Sequence, residues 1–177
     1  RMIKTSQDSE AYAKKVSSSH GVYVIPAFTG LGTPYWNNKV QGAIFGLTRG
    51  TTKEHLIRAT LESIAYQSKD VIETMKKETK LTFSQLAVDG GASENDFLMQ
   101  FQSDLLQSDV ILQQTAQSTA LGAALLAGLG IGIYKNLEEI QQLKSVKKVY
   151  HPQKSLKEIR LCYAKWKIAV SAATRFV

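Results

Sequence analysis

Leu86-Ala87-Val88-Asp89-Gly90-Gly91-Ala92-Ser93-Glu94-Asn95-Asp96 is the stretch on which the fold turns. Leu86 to Val88 is a short apolar run and predicts a buried strand. Two glycines stop it, and apolar residues at helical spacing then run from Phe97 to Leu106. A strand, a Gly-Gly turn and a helix let a ligand approach bare backbone. Glycine has no Cβ, so the main chain comes within van der Waals reach of a flat ring or a phosphate. Asn95 or Asp96 can cap the helix and leave its first amides facing that ligand. The arrangement predicts a nucleotide site. It is not a Walker A loop, because Lys and Ser/Thr do not follow the glycines, and it is not G-x-G-x-x-G. A Gly-Gly pair after a strand also serves as a plain turn, so the dipeptide does not decide function by itself.

Outward from this block the chain alternates between helices and strands. Glu10 to Ser17 predicts a short helix that ends in Ser-Ser-Ser-His-Gly. Val22 to Ile25 is β-branched and aromatic, stops at Pro26, and predicts a strand. Thr29 to Asn38 is a loop by its Gly, Pro and Asn content. Ala43 to Phe45 is short and apolar. Thr51 or Thr52 caps the longest helix, whose inward face should carry Ile57, Leu61, Ile64, Ser68, Val71 or Ile72, and Met75. That helix should end near Thr79. Beyond the central block come a helix Asp96 to Leu106, a strand Val110 to Leu112, and a small-residue helix Ala120 to Ala127 suited to close packing. Asn136-x-x-Glu139 reads as a capping box opening a helix Leu137 to Leu143. Val146 to Tyr150 alternates as an edge strand, and Leu156 to Arg175 is the last helix.

Composition bounds the function. The chain of 177 residues can bury one core. Ala120 to Ile133, the longest apolar stretch, is too short and too glycine-broken to span a membrane. The polar opening Arg1 to Val16 has no apolar core of a signal peptide. Cys162 is the sole cysteine, which excludes an internal disulfide and fits a reducing cytoplasm; it reads as a small buried residue of the last helix. The net charge of +7 resides in residues 131–177, where 10 basic side chains face 3 acidic ones. These bases are spread over a strand and a helix without stacking aromatics, so they read as a solvated face and not as a nucleic-acid surface. Such a face can still attract a polyanion or dock another domain. Tyr163 and Trp166 are three apart and read as one face of a packed helix. His20, His55 and His151 stand apart in sequence and suggest no protein-built metal site.

Several further blocks narrow the class. Gly42-Ala43-Ile44-Phe45-Gly46-Leu47, His55-Leu56 and Ala59-Thr60-Leu61-Glu62 resemble the C-terminal signature of the sugar and polyol kinases that include glycerol kinase and xylulokinase. Pro26-Ala27-Phe28-Thr29-Gly30-Leu31-Gly32-Thr33-Pro34-Tyr35-Trp36, Glu62-Ser63-Ile64-Ala65-Tyr66-Gln67 and Asn95 to Asp104 look like the glycerol kinase branch. The resemblance runs from about Gly21 to Trp166 with the blocks in order. It implies an α/β, ribonuclease H-like (actin-like ATPase) domain, incomplete, with a mixed sheet flanked by helices. Members of this family are two-domain proteins much longer than this chain. Residues 1–177 are therefore expected to form one C-terminal nucleotide-binding domain fragment, lacking the N-terminal domain and the start of its own. Arg1-Met2-Ile3 reads as the end of a helix whose earlier turns are missing.

The resemblance also assigns roles. Gly91 and Asn95 match positions at which the family binds nucleotide, and Gly90 shapes the same turn. Gly91 offers an amide and open space, and Asn95 offers a donor and an acceptor without charge. ATP or ADP is the implied cofactor, with Mg2+ held mainly by phosphates and water. Glycerol is the implied substrate, converted to sn-glycerol 3-phosphate in the intact enzyme. The family's catalytic carboxylate lies upstream, so no catalytic residue is assigned here and the chain alone is expected to be inactive. Asp89 is expected to fix the loop by accepting backbone hydrogen bonds. Thr119 to Ala124 should pack against the nucleotide loop. The Gly-rich loop with Phe28, Tyr35 and Trp36 reads as structural or as a subunit contact, and a homo-oligomer is expected. Open alternatives are a kinase for another polyol or a pentulose, a stand-alone nucleotide-binding module, or an assembly module.

Overall fold

The structure, a computed structural model, describes residues 2–80, 82–115, 117–143 and 145–176. Its elements in chain order are α1 (Asp8–Ala13), β1 (Tyr23–Ile25), β2 (Ala43–Phe45), α2 (Lys53–Thr79), β3 (Gln85–Val88), a 3-10 turn (Gly91–Glu94), α3 (Asp96–Leu106), β4 (Asp109–Gln113), α4 (Ser118–Gly130), α5 (Leu137–Gln142), β5 (Val146–Tyr150) and α6 (Leu156–Arg175). β1 and β2 pair antiparallel, Tyr23 opposite Phe45. β3, β4 and β5 form a mixed sheet: β3 runs parallel to β4 with Leu86 opposite Val110, and β5 runs antiparallel to β4 with Tyr150 opposite Val110. Arg1 lies outside the described residues, and Met2 and Ile3 are not helical.

α2 organises the core. The Thr52 amide donates to His55 Nδ1 at 3.0 Å across the first turn. At the far end Lys80 adopts φ 57° and returns its amide to the Lys76 carbonyl. Tyr66 lies at the centre of the packing, stacked on Trp166 of α6 (5.1 Å between centroids) and edge-on to Phe101 of α3 (5.5 Å). Leu98, Leu105, Val110 and Ile159 complete the apolar interior.

The inward face of α2 differs from the predicted stripe. Ile57 and Leu61 are buried, but Ile64, Val71 and Met75 are exposed. Arg58, Glu62 and Asp70 are buried in their place. Each is partnered, which is the condition for burying charge. Arg58 Nε donates to Glu62 Oε1 at 2.8 Å, and the Arg58 guanidinium also donates to the Val16 carbonyl. Asp70 accepts from Tyr163 (2.5 Å), Trp166 Nε1 (2.8 Å) and Tyr35 (2.9 Å), so one carboxylate ties the loop before β2 and α6 to α2.

The polar residues of α3 brace the far side of the sheet. Ser103 donates to the Tyr150 carbonyl at 2.8 Å, and Asp104 accepts the Gln153 amide at 2.7 Å. β3 is half-exposed and not the buried strand expected: it is an edge of the sheet, with Leu86 and Val88 turned to the core and Gln85 and Ala87 outward. α4 is longer than expected and leaves Thr119, Ala120, Leu121 and Leu126 exposed, so its small residues do not pack against the nucleotide loop. Only its start reaches that loop. α5 opens with Asn136 accepting the Glu139 amide at 2.9 Å, while the Glu139 carboxylate reaches the Lys135 amide and not that of Asn136. Cys162 is half-buried.

Burial pushes the Tyr23 phenol up to about 12 and raises those of Tyr66, Tyr35 and Tyr163; the Asp70 carboxylate adds to the last two. The folded chain therefore holds these protons more tightly than the unfolded chain, whose phenols titrate near 10. Stability is expected to be intact below pH 10 and to fall as pH rises through about 12. Urea unfolding midpoints followed across that range by circular dichroism check this; a flat midpoint would refute it.

Candidate functional site

The parallel β3–α3–β4 unit places the Asp89–Asn95 segment at the C-terminal end of β3, where open α/β sheets bind ligands. Gly90 sits at φ 86°, a conformation that favours glycine, and turns the chain out of the strand. Its carbonyl accepts both the amide and the hydroxyl of buried Ser93, at 3.1 and 2.6 Å, which winds Gly91–Glu94 into the 3-10 turn. Asp89 Oδ2 accepts the Ser118 amide at 3.3 Å, so this carboxylate ties the turn to the start of α4.

Asn95 is the N-cap of α3: its Oδ1 accepts the Leu98 amide at 2.9 Å. The structure brings Gly91 and Asn95 to one cleft of about 640 Å3. A Cβ built on Gly91 would meet no atom within 4 Å. Gly90 shapes the turn behind them. The opposite wall comes from α1 and the turn before it, through Ser6, Gln7, Ser9 and Glu10, and the floor from Leu61, Ile64 and Leu98. Sequence reasoning missed the α1 wall. Ser9 and Asn95 are 86 positions apart, and no local pattern links them.

Two of the first amides of α3, expected to face a ligand, are already taken. The Asp96 amide donates to Glu10 Oε2 at 2.9 Å, and Asn95 takes that of Leu98. A carboxylate already occupies the positive end of this helix, so the cleft disfavours phosphate there. Nearby charges are paired off. Glu94 meets Lys147 at 2.6 Å and Asp96 meets Lys148 at 2.7 Å. Hydrogen bonds from Lys148 and then Tyr150 hold the Asp96 carboxyl below its usual range. What the cleft offers is open space over Gly91, an apolar floor and the uncharged Asn95 amide. That chemistry suits a nucleoside.

The other candidates fall elsewhere. The rings of His20 and His55 approach to 5.2 Å, yet among the described residues no cluster of His, Cys, Asp or Glu is set to hold a metal. The Gly-rich loop contains a cis Thr33-Pro34 bond and presents Phe28 and Trp36 to solvent at 89% and 79% exposure. No helix of the described residues is long and apolar enough to cross a membrane.

A model of the C-terminal domain of the FGGY family of carbohydrate kinases matches residues 2–131. The glycerol kinases of Geobacillus sp. (strain WCH70) and Thermus thermophilus are 54% and 53% identical to the chain over 176 residues, 99% of its length. The chain spans 36% of the length of each. Among solved structures, Plasmodium falciparum glycerol kinase with ADP matches with a TM-score of 0.89 at 29% identity, over 97% of this chain and 34% of that one. Ligand-bound xylulose kinase from Lactobacillus acidophilus matches at 0.83 and 26%, over 98% and 36%. The mixed sheet with its flanking helices is thus the actin-like ATPase fold of these kinases. By sequence and by fold alike, the chain belongs to the FGGY family of carbohydrate kinases, in their C-terminal domain.

Proposed function

We propose that residues 1–177 form part of the C-terminal nucleotide-binding domain of a glycerol kinase and hold the adenosine half of ATP between α1 and the Gly90–Asn95 turn. The 54% identity to a glycerol kinase over nearly the whole chain carries the kinase reading. The open face of Gly91 beside the Asn95 amide supports the location.

In this reading the whole protein transfers the γ-phosphoryl group of ATP to glycerol, giving sn-glycerol 3-phosphate and ADP. The carboxylate that takes the hydroxyl proton, and most glycerol contacts, belong to an N-terminal part. Mg2+ arrives with the nucleotide and is held mainly by phosphates and water. Such transfers depend on positioning and on neutralising charge. Positioning is the share of this chain: Gly91 lets the ring lie on backbone, and Asn95 fixes it by hydrogen bonds. Cytoplasmic residence and a homo-oligomer, with the exposed Phe28 and Trp36 as contact points, belong to the same proposal.

Calorimetric titration with Mg-ADP of the wild-type chain and of Asn95→Ala tests the site. The variant is expected to bind about tenfold more weakly, the worth of a well-made polar contact. Equal affinities, or a folded wild-type chain that does not bind, would count against the assignment.

A further inference from the structure

We infer that Ser9 of α1 is a positioning residue for the nucleotide site, holding the nitrogen end of the Asn95 amide in the sense that the Leu98 amide sets at its oxygen. The inference rests on the adenosine site proposed above and extends it to an element that the sequence did not implicate.

The two ends of an asparagine amide are alike in shape and opposite in chemistry. A half-turn of the amide exchanges donor for acceptor. Here both ends are held. Asn95 Oδ1 accepts the Leu98 amide at 2.9 Å, so the oxygen must face α3. Asn95 Nδ2 donates to Ser9 Oγ at 3.3 Å, so the nitrogen must face α1. A serine hydroxyl donates as well as accepts, and by itself it would tolerate either end of the amide. Ser9 does not have that freedom. Its proton is committed to the Ser6 carbonyl at 2.6 Å, which leaves Oγ to act as acceptor. Ser9 is buried, with its amide also bonded to the Ser6 carbonyl, at 3.1 Å.

Polarity therefore runs one way, from Asn95 through Ser9 to the Ser6 carbonyl. Fixed in this sense, Asn95 keeps one Nδ2 hydrogen and one Oδ1 lone pair for a ligand. An amide held in advance loses less freedom on binding than one that must choose its orientation. Ser9 lines the same cleft as Gly91 and Asn95. It is not the anchor of α1 on α3, because its neighbour Glu10 makes a separate bond to the Asp96 amide. Loss of the Ser9 hydroxyl should therefore loosen the nitrogen end of the Asn95 amide, which the Leu98 amide would then hold alone, while α1 stays docked.

The test is a calorimetric cycle with Mg-ADP on the 177-residue chain: wild type, Ser9→Ala, Asn95→Ala, the double variant, and Ser9→Thr. Ser9→Ala is expected to weaken binding by about three- to tenfold with an unchanged melting temperature. Ser9→Thr, which keeps the hydroxyl, should bind like wild type. On the Asn95→Ala background, removing Ser9 should change nothing further. Wild-type affinity in Ser9→Ala alongside a weakened Asn95→Ala would overturn the role of Ser9 and leave the adenosine site standing. An equal loss on both backgrounds would also overturn it, because Ser9 would then act independently of Asn95. An Asn95→Ala chain that binds like wild type would remove the adenosine assignment itself. Should alanine loosen α1, Ser9→Cys, close in shape and a weak acceptor, replaces it with the same expected outcomes.

Discussion

Asp70→Ala is expected to lower the unfolding free energy of the chain by about 4 kcal/mol, a large share of the 5–15 kcal/mol usual for a domain. Asp70 is 3% exposed and accepts from Tyr35, Tyr163 and Trp166. Alanine would leave three donors facing a cavity without an acceptor. Each stranded donor costs about 1–3 kcal/mol, and partial repacking brings the total down from the sum. Trp166 is fully buried under Tyr66, so it cannot swing out to find water without opening the aromatic stack. Asp70→Asn keeps one acceptor oxygen and should lose roughly half as much. Urea unfolding measures both. A loss below about 1 kcal/mol for Asp70→Ala would mean that water satisfies the three donors and that the carboxylate is dispensable.

The second large effect concerns binding and should leave stability alone. Gly91→Trp is expected to weaken Mg-ADP binding by about a hundredfold or more, which is roughly 2.7 kcal/mol. A Cβ at Gly91 meets nothing within 4 Å, and its backbone lies outside the left-handed region, so the fold accepts a side chain there. The contrast is with Gly30 and Gly46, where a Cβ would fall 2.5 and 2.0 Å from backbone atoms. An indole at Gly91 would occupy the space assigned to the adenosine. Its melting temperature should stay within about 2 °C of wild type, as for surface changes generally. Gly90→Ala should do the reverse. It forces a Cβ into φ 86° and costs about 1–2 kcal/mol of stability. Undiminished binding by Gly91→Trp would place the nucleotide elsewhere.

What the sequence made legible was local. α6 lies at the predicted Leu156–Arg175, and α2 ends at Thr79 as expected. Asn95 caps α3, one of the two residues the sequence offered for that place. The buried face of α2 was not legible. An apolar stripe cannot show that Arg58, Glu62 and Asp70 turn inward, since the partners of Asp70 come from the loop before β2 and from α6. With those charges turned inward, Ile64 lies at the floor of the cleft. The α1 wall failed for the same reason, since Ser9 and Glu10 gain meaning only beside a turn far along the chain. The blocks that resemble the kinase family singled out Gly91 and Asn95, which line one cleft, but two of their polar residues are braces. Ser103 and Asp104 hold the β5–α6 connection and lie away from the cleft.

Those braces set a floor on how far the chain can be shortened. Among the described residues the cleft is lined by none beyond Leu98, so a designer wanting the proposed adenosine site in a compact scaffold would trim from the C-terminal end. Cutting away the chain from β5 onward would leave the hydroxyl of Ser103 with the Ser108 carbonyl alone, the carboxylate of Asp104 without the Gln153 amide, and Asp70 without Trp166. The helix that carries the cap residue would then lose its far mooring. The smallest working unit is set by what steadies α3, and not by what touches the ligand.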